Sequence, residues 1–152
     1  MRHEFTNLAE LLQSLTQPVY TDGFCVIAEV PPALAKEISR VAGLEATGFN
    51  IVLDRSGIQH TLKQHGQAKA AAEFARGQVP IENADFETLP TWLAAPHRID
   101  VGQPRPAKLA LPCVECRFSH PSGQYCGVLE FRSGRKELAL VTMYKKRPAN
   151  ER

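Results

Sequence analysis

Residues 137–145, Glu137-Leu138-Ala139-Leu140-Val141-Thr142-Met143-Tyr144-Lys145, decide the fold. Leu138, Leu140 and Thr142 alternate against Ala139, Val141 and Met143, the two-residue period of a strand with two unlike faces. On such a strand Thr142, Tyr144 and Lys146 point one way, and Met143 and Lys145 the other. Ser133-Gly134 reads as the turn before it, and residues 125–131 as the preceding strand. Residues 108–118 read as a third strand, interrupted or edge-placed near Pro112 because proline cannot donate to a sheet ladder. The last third of the chain is therefore expected to be a β-meander.

Upstream the period changes. Leu8, Leu11, Leu12 and Leu15 recur at helical spacing in residues 7–15, and Pro18 is expected to end that helix. Residues 24–30 form an apolar run between Asp22-Gly23 and Pro31-Pro32, which reads as a strand. Pro32 then suits the start of a helix reaching Ala42, with Leu34, Ile38 and Val41 on one face and Gly43 closing it. Residues 49–53 read as a short strand. Asp54-Arg55-Ser56 opens a helix over residues 57–65 that Gly66 stops. Residues 67–76 are alanine-rich and helical, and residues 81–94 read as a further helix, capped by Asn83 or Asp85 and shortened or kinked by Pro90. An extended piece follows around Ile99 and Val101. Helices followed by an antiparallel meander give an α+β class: about four strands, helices on one face, and an N-terminal αβα extension. The other face of such a sheet stays available for a ligand. Residues 1–48 are read as the extension or accessory segment, 49–147 as the main domain and 148–152 as a basic tail.

The chain has 152 residues, 43% hydrophobic and 22% charged, enough for a single domain with its own core. No apolar run approaches the roughly 18 residues of a membrane span, so no membrane association is expected. The first ten residues carry Arg2, Glu4 and Glu10 and lack a basic-then-apolar leader, so the expected location is cytoplasmic, with delivery into another cell left open. A net charge of +2 names no partner, but Lys145, Lys146, Arg147 and Arg152 crowd the C-terminus. Cys113, Cys116, His120 and Cys126 allow a zinc site on paper. Against it, Cys113 and Cys116 lie on a strand, where positions three apart face opposite ways; reduced, part-buried thiols are the expected reading, with no metal and no cofactor.

Two clusters carry possible chemistry. In Asp54-Arg55-Ser56-Gly57-Ile58-Gln59-His60-Thr61-Leu62-Lys63-Gln64-His65-Gly66, Ile58 and Leu62 can face the core while His60 and Lys63 share a neighbouring face. His65 lies about 140° round an ideal helix from His60, so the two converge only if the helix ends there, as Gly66 suggests. The plain alternative is a surface helix with a cation near its C-terminus. The second cluster is Thr142, Tyr144 and Lys146 on one strand face with Lys145 on the other; its plain alternative is a charge-protected edge strand.

The order of these features resembles the phage-associated nucleases of the barnase–EndoU–colicin–RelE group. It runs from a hydrophobic strand through Asp54-Arg55-Ser56-Gly57, His60-x-x-Lys63-x-His65-Gly66, then Ile81, Asp85-Phe86, Leu89-Pro90 and Pro96, to Thr142-Met143-Tyr144-Lys145, and covers residues 49–146. The resemblance implies a helix packed on a four-stranded antiparallel sheet with the active site on the sheet face, and a metal-independent endoribonuclease. Metal-free cleavage needs a base for the ribose 2′-OH, an acid for the leaving 5′-oxygen and cations for the phosphorane. The resemblance implies His60 as base, His65 as alternative base or partner acid, Lys63 and Lys145 as phosphate stabilisers, and Thr142 and Tyr144 as positioning groups. Arg55, Lys146 and Arg147 are the expected substrate contacts. The implied partners are RNA, with tRNA among the candidates, and an immunity protein. With so low a net charge, affinity would come from a local patch and fall with salt. Trp92, beside Leu89 and Leu93, is expected to be packing. Two other readings stay open: an inactive RNA- or protein-binding module, and an assembly domain of a phage or prophage.

Overall fold

The computed structural model describes residues 2–17, 22–102 and 111–148. The expected stop at Pro18, the start of the strand reading at residue 108 and the tail from residue 149 lie outside them. The elements in chain order are α1 (Leu8–Ser14), β1 (Phe24–Glu29), α2 (Pro32–Ala42), β2 (Asn50–Asp54), α3 (Arg55–His65), a 3-10 turn (Gln67–Lys69) and α4 (Ala70–Ala75). There follow β3 (Gln78–Val79), α5 (Asn83–Glu87), α6 (Leu89–Leu93), β4 (Arg98–Gly102), β5 (Cys113–His120), β6 (Gly123–Arg132) and β7 (Glu137–Lys146). No helix among the described residues is long and apolar enough to cross a membrane.

The class is α+β, as the patterning indicated. The expected meander is present as β4-β5-β6-β7, each pair antiparallel. The sheet is larger than about four strands, however. Among the described residues it has seven, in the order β1-β2-β7-β6-β5-β4, with β3 also on β7. It is not wholly antiparallel either, because β2 runs parallel to β7. Strand count was underestimated because β1 and β2 come from the N-terminal third, and a short apolar run does not reveal which strand it will join. β1 pairs with β2, so the first third of the chain is continuous with the main sheet.

Local signals explain most boundaries. Asn7 caps α1 by accepting from the Glu10 N–H, and α2 starts on Pro32 and closes on Gly43 in the left-handed region. The expected single helix at residues 81–94 is two short ones. A capping box between Glu82 and Asp85 starts α5, and Pro90 falls in the first turn of α6, where its missing N–H costs nothing.

One sheet face carries the core. Ile51, Leu53, Leu129, Leu138, Leu140 and Met143 meet α2, α5 and α6 there, through Leu34, Ile38, Phe86, Leu89 and Trp92. Trp92 is 1% exposed and stacks near Phe118 and Tyr125, so it is packing. The alternation along β7 has one break. Leu129 pairs with Leu140 but Val128 with Thr142, which leaves Val141 as an extra residue in a β-bulge. Beyond the bulge Thr142, Tyr144 and Lys146 stand on the face away from the core, opposite Val128, Cys126 and Gln124.

β7 also has an edge that two short strands leave partly uncovered. β2 pairs with Glu137 to Leu140, and β3 pairs only with Lys145 and Lys146. Helix α3 lies along the interval between them. Gly57 makes this approach possible, because a Cβ there would stand 2.4 Å from the Leu140 carbonyl oxygen. Sequence order thus becomes geometry: the helix that leaves β2 is laid beside Thr142 and Tyr144.

Candidate active site

His65 is the last residue of α3, and its ring centroid lies 5.7 Å from that of Tyr144 on β7. Its Nδ1 is 3.1 Å from Oε1 of Glu73 on α4. Glu73 is fully buried and also pairs with Arg76. The Tyr144 hydroxyl donates to Glu115 Oε1 on β5 at 3.2 Å, and Arg117 pairs with the same oxygen at 3.1 Å. Burial first, then Cys126 and Glu115, push the Tyr144 phenol well above the ordinary tyrosine range. Tyr144 therefore acts as a neutral hydrogen-bond donor. Thr142 shares its face, and its hydroxyl oxygen is buried with no partner among the described residues. A buried hydroxyl left unpaired is costly, which makes it a natural contact for an incoming polar group. Lys146 completes this side of the strand and is half-buried.

The result is a polar sheet face, walled on one side by the C-terminal turn of α3, holding an imidazole, a phenol, a hydroxyl, a lysine and an arginine. A family model described as phage-Barnase-EndoU-ColicinE5/D-RelE like nuclease3 (PBECR3) matches residues 29–152. The chain belongs to that family. It is a nuclease family, phage-associated by its description, and the match begins at Glu29, ahead of α2. No curated protein and no solved structure matches the chain.

In this PBECR3 fold the residues named from sequence fall into three groups. His65, Thr142, Tyr144 and Lys146 come together on or beside the open sheet face. His60 and Lys63 are exposed on α3. His60 borders a separate cleft of about 260 Å³ with Asp54, Ser56, Arg132 and Val141, at the head of the helix rather than its foot. The third group is set apart. Lys145 points to the core face, where its Nζ lies 3.8 Å from Asp85 and over the Tyr125 ring, and it is 9% exposed. The Tyr125 hydroxyl donates to the same carboxylate at 2.6 Å. Arg147 donates to the Phe74 carbonyl and stacks on the Phe74 ring, while its backbone N–H bonds Gly77. It fastens α4 and β3 to the end of β7.

Arg55 is likewise occupied. It is 6% exposed, and its guanidinium donates to the Ser14 hydroxyl, the Ser14 carbonyl and the Gln17 carbonyl, tying α1 to α3. Truncating it removes all three of these bonds, although the Ser14 carbonyl still accepts from the Gln17 N–H and the Ser14 hydroxyl still donates to the Leu11 carbonyl. Arg55→Ala is expected to lower stability by about 2 kcal/mol in urea denaturation. Unchanged stability with weaker RNA binding would return Arg55 to a substrate role.

Sequence reasoning missed Glu73, Glu115 and Arg117. Glu73 carried a faint signal, as the one charge in Ala70–Ala75. Glu115 and Arg117 carried none, because alternating charges on a strand read as any solvated face. The cysteines are all buried. Cys113 pairs across the sheet with Glu130 and Cys116 with Gly127, on opposite faces, and burial followed by Glu115 pushes the Cys116 thiol up to about 12. Among the described residues no group of three or more His, Cys, Asp or Glu is placed to hold a metal ion.

Proposed function

We propose that this chain is a metal-independent endoribonuclease of phage or prophage origin, and that its open sheet face beside α3 binds and cuts RNA. The observation that carries the reading is the imidazole of His65, held through Nδ1 by a buried carboxylate and set against Tyr144 on that face. With Nδ1 engaged, Nε2 is the nitrogen that takes the proton of the ribose 2′-OH. The resulting oxygen attacks phosphorus, the bond to the 5′-oxygen breaks, and the products are a 2′,3′-cyclic phosphate and a 5′-hydroxyl. Water supplies the proton for the leaving oxygen and the proton taken by Nε2 returns to solvent, since His60 opens onto the separate cleft at the head of α3. The Thr142 hydroxyl and Lys146 hold the phosphate, and Tyr144 positions it. Base and cation both come from side chains, so divalent metal is not required.

Purified protein incubated with total bacterial RNA in EDTA tests this. Cleavage that resists EDTA and leaves 2′,3′-cyclic phosphate ends is expected. Cleavage only with added divalent metal, or cyclic-phosphate ends that fail to appear, overturns the mechanism. A folded protein that binds RNA without cutting it, with or without metal, is the inactive binding module instead. Growth arrest on expression, relieved by a co-expressed partner protein, is the expected sign of a toxin with an immunity protein.

A further inference from the structure

Glu73 sits where no substrate reaches it. Its side chain is 0% exposed, yet it accepts from three elements: His65 of α3, Arg76 at the end of α4 and Gln78 of β3. With its amide turned to donate, Gln78 nitrogen lies 2.6 Å from Oε2. A buried carboxylate is retained only where its oxygens are fully engaged. Here the engagement joins His65 to the short strand that pairs with Lys146 and Lys145 of β7. The segment from the 3-10 turn to β3 thus forms a bracket, pinned to β7 by the ladder at one point and by Arg147 at another.

We propose that Glu73 is a positioning residue: it holds His65 in the Nδ1–H form, so that Nε2 is unprotonated and faces the reacting group. The proposal rests on His65 being the general base. A carboxylate paired with Arg76 accepts and does not donate, so a neutral imidazole at 3.1 Å must bring its proton on Nδ1. Free neutral imidazole carries no such constraint. A fixed tautomer removes the fraction of molecules in which Nε2 carries the proton and cannot act as a base. The same bond stops the ring turning away from Tyr144.

The decisive measurement is the tautomer of His65 by long-range nitrogen–proton NMR on the uniformly labelled protein in alkaline buffer. Nδ1–H with an unprotonated Nε2 is expected, and an Nε2–H ring overturns the proposal whether or not the protein cuts RNA. Glu73→Gln keeps the shape but offers an amide that can donate to Nδ1 as well as accept from it. In that variant a mixture of tautomers is expected, with kcat lowered roughly a hundredfold or more and KM within about twofold. Glu73→Asp is expected to recover part of kcat by restoring an acceptor. A role in stability alone would lower the melting temperature and leave the tautomer and kcat of the folded fraction unchanged. Wild-type protein that shows the Nδ1–H form yet cuts no RNA would defeat the nuclease reading while sparing the carboxylate's hold on the ring.

Discussion

His65→Ala is expected to slow RNA cleavage by roughly 10²- to 10⁴-fold while the protein stays folded, the usual cost of removing a positioned acid–base group. The fold should survive because His65 is the last helical residue, partly exposed, and the helix end is closed independently by the Gly66 N–H bonding Leu62. The chemistry should not survive, because His65 is the imidazole set against Tyr144 on the Thr142–Tyr144–Lys146 face. Single-turnover cleavage of a labelled oligoribonucleotide reads the loss directly, and KM should change little, since His65 acts in the transition state more than in binding. Lys145→Ala serves as the contrast. Lys145 is buried against Asp85 on the far face, so its removal should cost stability before it costs the chemical step. Should His65→Ala cut at nearly the parent rate while His60→Ala does not, the reaction belongs to the cleft at the head of α3, beside Asp54 and Arg132.

The second large effect belongs to a residue with no functional atoms. Gly57→Val is expected to destabilise the protein by about 3 kcal/mol and to reduce cleavage in whatever folds by roughly a hundredfold. A Cβ at Gly57 would lie 2.4 Å from the Leu140 carbonyl oxygen and 3.5 Å from its carbon, and the backbone of β7 cannot give way as a flexible side chain could. α3 must therefore move off the strand and take His65 with it, away from Tyr144. An ångström at the reacting atoms is enough to cost two orders of magnitude. Valine is also a poorer helix former than alanine but a better one than glycine, so intrinsic propensity would favour the variant. Contact and propensity thus predict opposite signs. Gly134→Ala, where nothing lies within 4 Å, is the matched control and should stay within about 0.5 kcal/mol. Urea denaturation of the three proteins decides the point; a Gly57→Val protein as stable as its parent would mean that α3 is not seated on β7.

Much of the frame is legible in the sequence. The two-residue period placed β5, β6 and β7, and caps and stops placed α2 and α3 nearly to the residue, because these signals are local: a proline at a helix start, a glycine after its end, a turn between alternating runs. The parity of β7 beyond Val141 was legible too, setting Thr142, Tyr144 and Lys146 against Met143 and Lys145, but the bulge puts Thr142 on the face opposite Leu138 and Leu140, with which the alternation had grouped it. Parity could not say which face would be covered by helices. That choice put Lys145 inside, beside Asp85, although the nuclease resemblance had implied a phosphate stabiliser there. The backbone partners of Arg55 and Arg147 were hidden for the same reason: a guanidinium in a sequence looks the same whether it meets phosphate or a backbone carbonyl.

What the sequence by itself determined is the α+β class, the resemblance to a nuclease group and a short set of polar residues, since each follows from local spacing and residue type. Only the tertiary structure decided that β2 would lie parallel to β7, that Gly57 would let α3 close on that strand, and that a buried glutamate would grip His65 from a third element. These depend on which surfaces bury one another, and burial is a property of the whole chain: a strand's partner, a glycine's neighbour and a carboxylate's donor lie eight to eighty-seven residues away in sequence.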